Sequence, residues 1–395
     1  MLPVYPSLAS LIVALLLLNW LTGAGFRGFR ESGARVPYLW VFTGFYLLYA
    51  LGLIWSENLS SGGREMETKL SFLIMPLMFF SVPFEKEKLR KVLHAFIIGC
   101  AAAMVTLLCF ALYRYIETKY RISQGEDLWD FGVNYFLKDR LSVFVHPSYM
   151  AMYLSFAVWA LYSFHRTVIS AHFVRYGLYA LFVVCIVFLV SKAGLIVLTG
   201  IGAFIIYEMI FRGQRLRQAL IIIAAFVMMV AVLFTAAPQF RNRFVAAFQA
   251  LTSGQERNTT AESTSERLAI WSAATELIKE HPLNGSGTGS ANDRLQEKYK
   301  EKGMTAALEQ RLNAHNQFFQ TTITLGIPGL LMLLLLLFTP LLSAIKNRKE
   351  FYVGFFLIVI INIFVESMFE AQAGVLFFTF FNALLFMDLN KKRQL

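Results

Sequence analysis

The sequence predicts an all-α fold, a polytopic membrane helical bundle of about eleven spans, and three observations carry that expectation. Of 395 residues, 57% are hydrophobic and only 15% are charged, against about 25% charged in an ordinary soluble domain. Mean hydropathy is +0.57, with 38 Phe among the apolar residues. Those residues gather in long uncharged runs such as Leu11 to Leu18 and Leu330 to Phe338, more apolar surface than a water-soluble core absorbs.

At about 20 apolar residues per crossing, the spans fall near 7–24, 37–55, 68–84, 89–114, 148–164, 174–190, 193–211, 217–236, 315–340, 351–369 and 372–388. The third is short and contains Pro76. Met1 to Ser10 lacks a basic n-region, and the run after it leads to Arg27 and Arg30 without a small-residue cleavage site, so it reads as a retained first span. Alternate connections are basic: Arg27, Arg30 and Arg35; Lys86, Lys88, Arg90 and Lys91; Arg166 and Arg175; Arg212, Arg215 and Arg217; Lys346, Arg348 and Lys349; Lys391, Lys392 and Arg393. The excess of cations assigns these to the cytoplasm. The N-terminus is then outside, the C-terminus inside, and the 78 residues 237–314 form a large periplasmic loop away from ATP and nucleotide sugars.

The net charge of +11 sits mostly in these short breaks, which favours membrane topology over a nucleic-acid partner. Cys100, Cys109 and Cys185 lie in apolar segments and indicate neither a disulfide set nor a metal site. With no internal repeat and no linker to a soluble domain, residues 1–395 read as one membrane domain.

Chemistry concentrates on the outer face. In the large loop, Ser263-Thr264-Ser265-Glu266 has capping-box spacing, and a helical pattern follows from Arg267 through Trp271 to Ile278. A cation in the first turn opposes the helix dipole by up to about 1 kcal/mol, so Arg267 is a candidate anion ligand; a solvated surface residue or a partner of Glu266 is the plainer alternative. His281-Pro282 ends the helix, and Asn284-Gly285-Ser286-Gly287-Thr288-Gly289-Ser290 follows. Alternating Gly and hydroxyl residues suit close approach to a phosphate or sugar and equally a flexible helix cap. The run lacks the Lys-Ser/Thr ending of a P-loop, which excludes nucleotide binding on this motif.

His315 stands in Asn313-Ala314-His315-Asn316-Gln317, where the polar loop enters the ninth span. That helix N-terminus favours a neutral imidazole able to take a proton, although an interfacial His bonded to a carbonyl fits as well. Lys192, in Val190-Ser191-Lys192-Ala193-Gly194, lies where Ser191 can cap the seventh helix; it is an anion-site candidate or a snorkelling cation. His146-Pro147-Ser148-Tyr149 opens the fifth span. Residues 116–145, with Trp129, Phe131, Tyr135 and Phe136, suit a lid or acceptor surface beside His315, or interfacial anchoring. Asn362, Glu366 and Glu370 recur at i, i+4, i+8 on the tenth helix, a pattern of a proton path in a transporter or lipid-linked glycan flippase, or of hydrogen bonding inside the bundle. Polar features crowded on one face and one loop, without paired repeats, favour an enzyme over that transporter.

Together Ser191-Lys192-Ala193-Gly194, Arg267 to Trp271, His281-Pro282-Leu283-Asn284-Gly285-Ser286-Gly287, His315-Asn316-Gln317-Phe318-Phe319-Gln320 and Gly326-Ile327-Pro328-Gly329 resemble, in order and spacing, the O-antigen ligase and Wzy polymerase superfamily. The motif-bearing part is about 190–335. The resemblance implies a GT-C-type bundle in the bacterial inner membrane and metal-independent glycosyl transfer at the periplasmic face, with no cofactor. The implied donor is a glycan on undecaprenyl diphosphate, and the implied acceptor is a glycolipid such as lipid A core, another glycan or a protein hydroxyl. It further implies His315 as base and Arg267 as functional cation. Lys192 stands where the family carries Arg, and Lys keeps the charge while losing the bidentate fork. Asn316, Gln317, Trp271, Gly285, Gly287 and His146 are the implied supporting residues. A compact chain without an appended domain favours the ligase among these relatives.

Overall fold

The computed structural model describes residues 6–23, 25–31, 36–126, 134–164, 167–212, 216–236, 241, 245 and 264–390. Among them every regular element is helical. In chain order these are α1 (Pro6–Thr22), α2 (Gly25–Glu31), α3 (Pro37–Gly52), α4 (Leu59–Lys69), α5 (Ser71–Phe80), α6 (Lys86–Ser123) and α7 (Lys138–Leu141). After these come α8 (Pro147–Ser163), α9 (His172–Phe188), α10 (Lys192–Tyr207), α11 (Leu216–Ala236), α12 (Thr264–Glu280), α13 (Ala291–Glu301) and α14 (Thr305–Glu309). The last three are α15 (Gln317–Lys346), α16 (Glu350–Val365) and α17 (Gln372–Asn390).

A helix occupies each of the eleven apolar segments. Among the described residues, four are long and apolar enough by themselves to cross a membrane: Lys86–Ser123, Lys192–Phe211, Gln317–Lys346 and Gln372–Leu389. The chain is a multi-pass membrane protein. The third segment is the least like a span, because α5 has only 10 residues, about 15 Å at 1.5 Å per residue, half of the apolar thickness. The fourth runs further than its hydropathy indicates. Helix α6 passes the apolar stretch and continues through Arg114, Glu117 and Lys119 to Ser123, because nothing breaks the helix before Gly125, at φ +85°.

The bundle core is aromatic. Phe42, Phe45, Phe72, Phe369 and Phe378 interlock edge-on or tilted between α3, α5, α17 and the connection that precedes α17, and Phe96, Phe156, Phe377 and Phe381 do the same between α6, α8 and α17. Such pairs add about 0.5–1.5 kcal/mol each beyond area burial. A second, separate core of Ile270, Ala273, Ala274, Leu277, Leu295, Tyr299 and Ala307 holds α12, α13 and α14 together, so residues 264–314 are a helical cap in their own right.

The cap is fastened to the bundle at a break in α15. Gly326 has φ +65° and ψ −161° inside that helix, and Pro328 has no N–H for the carbonyl of Thr324, four residues earlier. The carbonyls of Ile323 and Thr324 are satisfied from the loop, by the N–H groups of Ser286 (2.7 Å) and Gly287 (3.0 Å), while Ile327 N–H donates to Pro282 O (2.8 Å). Close approach explains the glycines. A Cβ on Gly285 would lie 2.5 Å from the Thr324 carbonyl carbon, and one on Gly326 would lie 2.4 Å from Leu283 O.

A candidate active site at the meeting of six segments

Six separate stretches supply one pocket, lined by Lys138, His146 to Ser148, Leu189 to Ala193, Arg267, His315 and Glu366. Helix α10 contributes Lys192 at its first position. Ser191 caps it by accepting from Gly194 N–H at 3.1 Å, the start signal its sequence carries. Helix α12 contributes Arg267 and α8 contributes His146 and Ser148, while His315 lies two residues before α15. The structure thus brings together the three side chains expected to act, Lys192, Arg267 and His315, with His146 beside them.

Glu366 is the hub. Its Oε1 accepts from Arg267 at 3.0 Å and from the Ser148 hydroxyl at 3.1 Å, and its Oε2 faces His315 Nδ1 at 3.2 Å. The other terminal nitrogen of Arg267 donates to Val365 O. Burial alone would raise the Glu366 carboxyl, but the His315 hydrogen bond and the Arg267 charge outweigh it and hold its pKa at about 2. The anion that compensates Arg267 at the start of α12 is therefore Glu366.

This corrects the expectation of a shared helical face. Helix α16 ends at Val365, and Glu366 is extended at φ −143° and ψ 147°, so Glu366 and Glu370 do not continue the face of Asn362. Arg267, Ser148 and His315 hold Glu366 out of helical geometry, and Ser367 Oγ accepts from Asn316 N–H at 3.2 Å. Asn362 is buried within α16 and donates back to Ile358 O at 2.8 Å.

The hydrogen bonds assign the ring nitrogens. With a carboxylate on Nδ1, His315 carries its proton there and leaves the lone pair on Nε2. That Nε2 and the Nε of Arg267 are both buried without a hydrogen-bond partner among the described residues, one acceptor and one donor in the same pocket. Buried polar atoms are ordinarily paired, so the arrangement is built for a polar ligand. His146 is the reverse case. Its Nδ1 accepts from Ser148 N–H at 3.4 Å, which leaves the proton on Nε2 as a donor.

The backbone is strained in the same place. Lys138 (φ +51°), Val190 (φ +47°) and His315 (φ +46°) all line the pocket and all occupy the left-handed region, which costs a non-glycine residue about 1–3 kcal/mol and recurs at active sites. For His315 the compensation is visible: its N–H donates to Asn313 Oδ1 at 3.0 Å.

Other expected residues stand behind the pocket. Asn316 caps α15, accepting from Phe318 and Phe319 N–H (2.9 and 3.2 Å) and donating to Phe364 O (3.1 Å). Gln317 is fully buried, accepts from Phe369 N–H at 2.6 Å and donates to Glu370 Oε1 at 3.3 Å. Trp271 donates to Ala314 O at 3.0 Å and stacks on Phe319. These three orient His315 and the 366–370 connection. Gly285 and Gly287 do not line the pocket; they serve the junction at Gly326. A fully buried Lys69, paired with the part-buried Glu65 and Glu370, ties α4 to the same connection. Ser263, Trp129 and Phe131 lie outside the described residues.

Sequence reasoning missed Glu366 as the partner of both His315 and Arg267, and Lys138 altogether. An intramembrane-edge acid was the available signal for the first; for the second there was none.

Residues 177–334 match the family model described as O-antigen ligase. An uncharacterized protein of Haemophilus influenzae is 29% identical over 156 residues, 39% of this chain and 38% of that protein, so the chain spans well under half the length of that relative. The matched region contains Lys192, Arg267 and His315, so residues 177–334 of this chain are similar to the O-antigen ligase family.

Proposed function

We propose that the chain is a glycosyltransferase of the ligase type, moving a glycan from undecaprenyl diphosphate to a hydroxyl of lipid A core at the periplasmic face of the bacterial inner membrane. In this reading residues 237–314 are periplasmic and the reaction needs no metal. The observation that carries it is the unpartnered Nε2 of His315, fixed by Glu366 on the opposite ring nitrogen and set in one pocket with Lys192 and Arg267.

Lys192 and Arg267 hold the diphosphate and offset the negative charge that grows on it as the glycosidic bond breaks, a role worth about 3–4 kcal/mol per well-placed donor. His315 Nε2 takes the proton from the acceptor hydroxyl, whose oxygen attacks the anomeric carbon from the face opposite the diphosphate. The C–O bond to the diphosphate breaks with its electron pair leaving on phosphate, and the configuration inverts. Glu366 stabilises the imidazolium that forms. A diphosphate is already a good leaving group, so the paired acids of glycosidases are not needed.

Polymerase or protein-glycosylating activity would use the same pocket and differ in acceptor. Deletion followed by surface-glycan analysis separates them: lipid A without attached glycan, together with accumulated polymer, supports the ligase. Single repeat units on lipid A mean polymerase. In purified form, His315→Ala should lose about 10²–10⁴-fold in transfer, the usual worth of a positioned base; full turnover would remove the assignment.

A further inference from the structure

A second cavity adjoins the first and shares His146 and Pro147 with it. It is a largely open recess of about 520 Å³, lined by Arg114, Asp139, Arg140 and residues 142–147. The inner pocket encloses about 40 Å³, room for a few waters or one phosphate-sized group. A saccharide must lie outside it, and the outer cavity falls within the ~300–1,000 Å³ of small-molecule sites.

Two arginines and one aspartate line this cavity, which leaves it cationic. Arg114 stands beyond the apolar stretch of α6, with its guanidinium 4.5 Å over the Tyr135 ring. Tyr135 is buried and hydrogen-bonds Thr118 at 2.9 Å. Stacking occupies the face of a guanidinium and leaves its N–H edge for a planar or tetrahedral anion, and Arg114 makes no hydrogen bond among the described residues. Arg140 lines the same cavity, while Asp139 is paired with Lys138 at 3.2 Å. The short helix 138–141 thus straddles the two spaces, with Lys138 on the inner and Arg140 on the outer.

We propose that the outer cavity is the acceptor subsite and that it takes an anionic saccharide. In this assignment Arg114 and Arg140 hold a phosphate or carboxylate on the acceptor sugar, while a neighbouring hydroxyl passes His146 to reach Nε2 of His315. The Nε2–H of His146 donates to that sugar and has no part in removing its proton. The assignment deepens the proposed transfer reaction and rests on it for the identity of the acceptor; the preference for an anion rests on the cavity alone.

The test uses the full-length chain in phosphatidylcholine nanodiscs, titrated with glucose 6-phosphate and with glucose, with no donor present. Glucose 6-phosphate should bind at least about tenfold more tightly, a gap of about 1.4 kcal/mol. Arg114→Gln combined with Arg140→Gln should erase the gap to within about twofold, and Arg114→Lys should retain part of it. Melting curves confirm that each variant is folded, and Arg140→Gln alone, at an exposed position, keeps the test informative if the double variant is not. Equal affinity for the two sugars, no binding of either, or an unchanged gap in the folded variants overturns the proposal. Loss of glucose 6-phosphate binding when phosphatidylglycerol is added to the discs also overturns it, by making the cavity a lipid-headgroup site. In transfer assays the same variants should raise acceptor KM about tenfold or more and leave donor KM and kcat within about twofold. A rise confined to donor KM would assign the cavity to the donor glycan instead. Binding is read without turnover, so failure of the transfer reaction and failure of this subsite are separable.

Discussion

Two connections on the same side of the bundle divide the work unequally. The cap, residues 264–314, provides Arg267 on a helix held by its own small core, and His315 follows it directly, in the turn before α15. The connection between α16 and α17 is only six residues, 366–371, yet its Glu366 touches Arg267, His315 and Ser148. Reactive groups are distributed over the long segment, and the charge that orients them comes from the short one. A site assembled this way fails from either side, but it fails differently.

The largest loss should follow removal of the short connection's carboxylate. Glu366→Gln keeps shape and removes the charge that fixes the His315 tautomer, and transfer should fall about 10²–10⁴-fold with the fold retained. An unaffected rate would show that the cap acts alone. Next is Arg267→Ala, which leaves Glu366 largely buried with its cation gone. Breaking such a pair costs about 3–5 kcal/mol, so a lowered melting temperature should accompany the lost activity. Pairing it with Glu366→Ala should restore most of the stability and none of the transfer.

A smaller effect is expected from Arg267→Lys. It keeps the charge but cannot hold Val365 O and Glu366 together as the fork does, and it should recover about tenfold over Arg267→Ala. Equal losses in both would place the requirement in guanidinium geometry. The smallest effect should come from Lys192→Arg, with a rate within about fivefold of the parent chain; total inactivation would show that the α10 cation is not equivalent to an Arg there.

Much of this was legible in the sequence. Hydropathy located every apolar helix, because burial in lipid leaves a continuous record along the chain. Ser191 and Arg267 were legible because caps and first-turn charges act on their immediate neighbours. Glu366 was visible only as an acid near a span end. Its partners lie 51 and 99 residues away, and nothing local says that α16 stops at Val365 to deliver it. The glycines of 285–289 were read as one motif with two uses. Their use is the carbonyls freed at Gly326 and Pro328, a need created by a different helix. The cationic cavity at Arg114 was hidden for a related reason: a helix was expected to stop with its apolar stretch, and α6 instead continues to Ser123.

The account stands on His315 and Glu366 acting as one unit. The direct measurement is a double-mutant cycle on the transfer rate of purified protein in vesicles, with His315→Ala, Glu366→Ala and both together. If the pair is the base, the double variant should be no slower than His315→Ala by more than about twofold, since the carboxylate has nothing left to orient. Losses that multiply, each residue acting independently of the other, would contradict it.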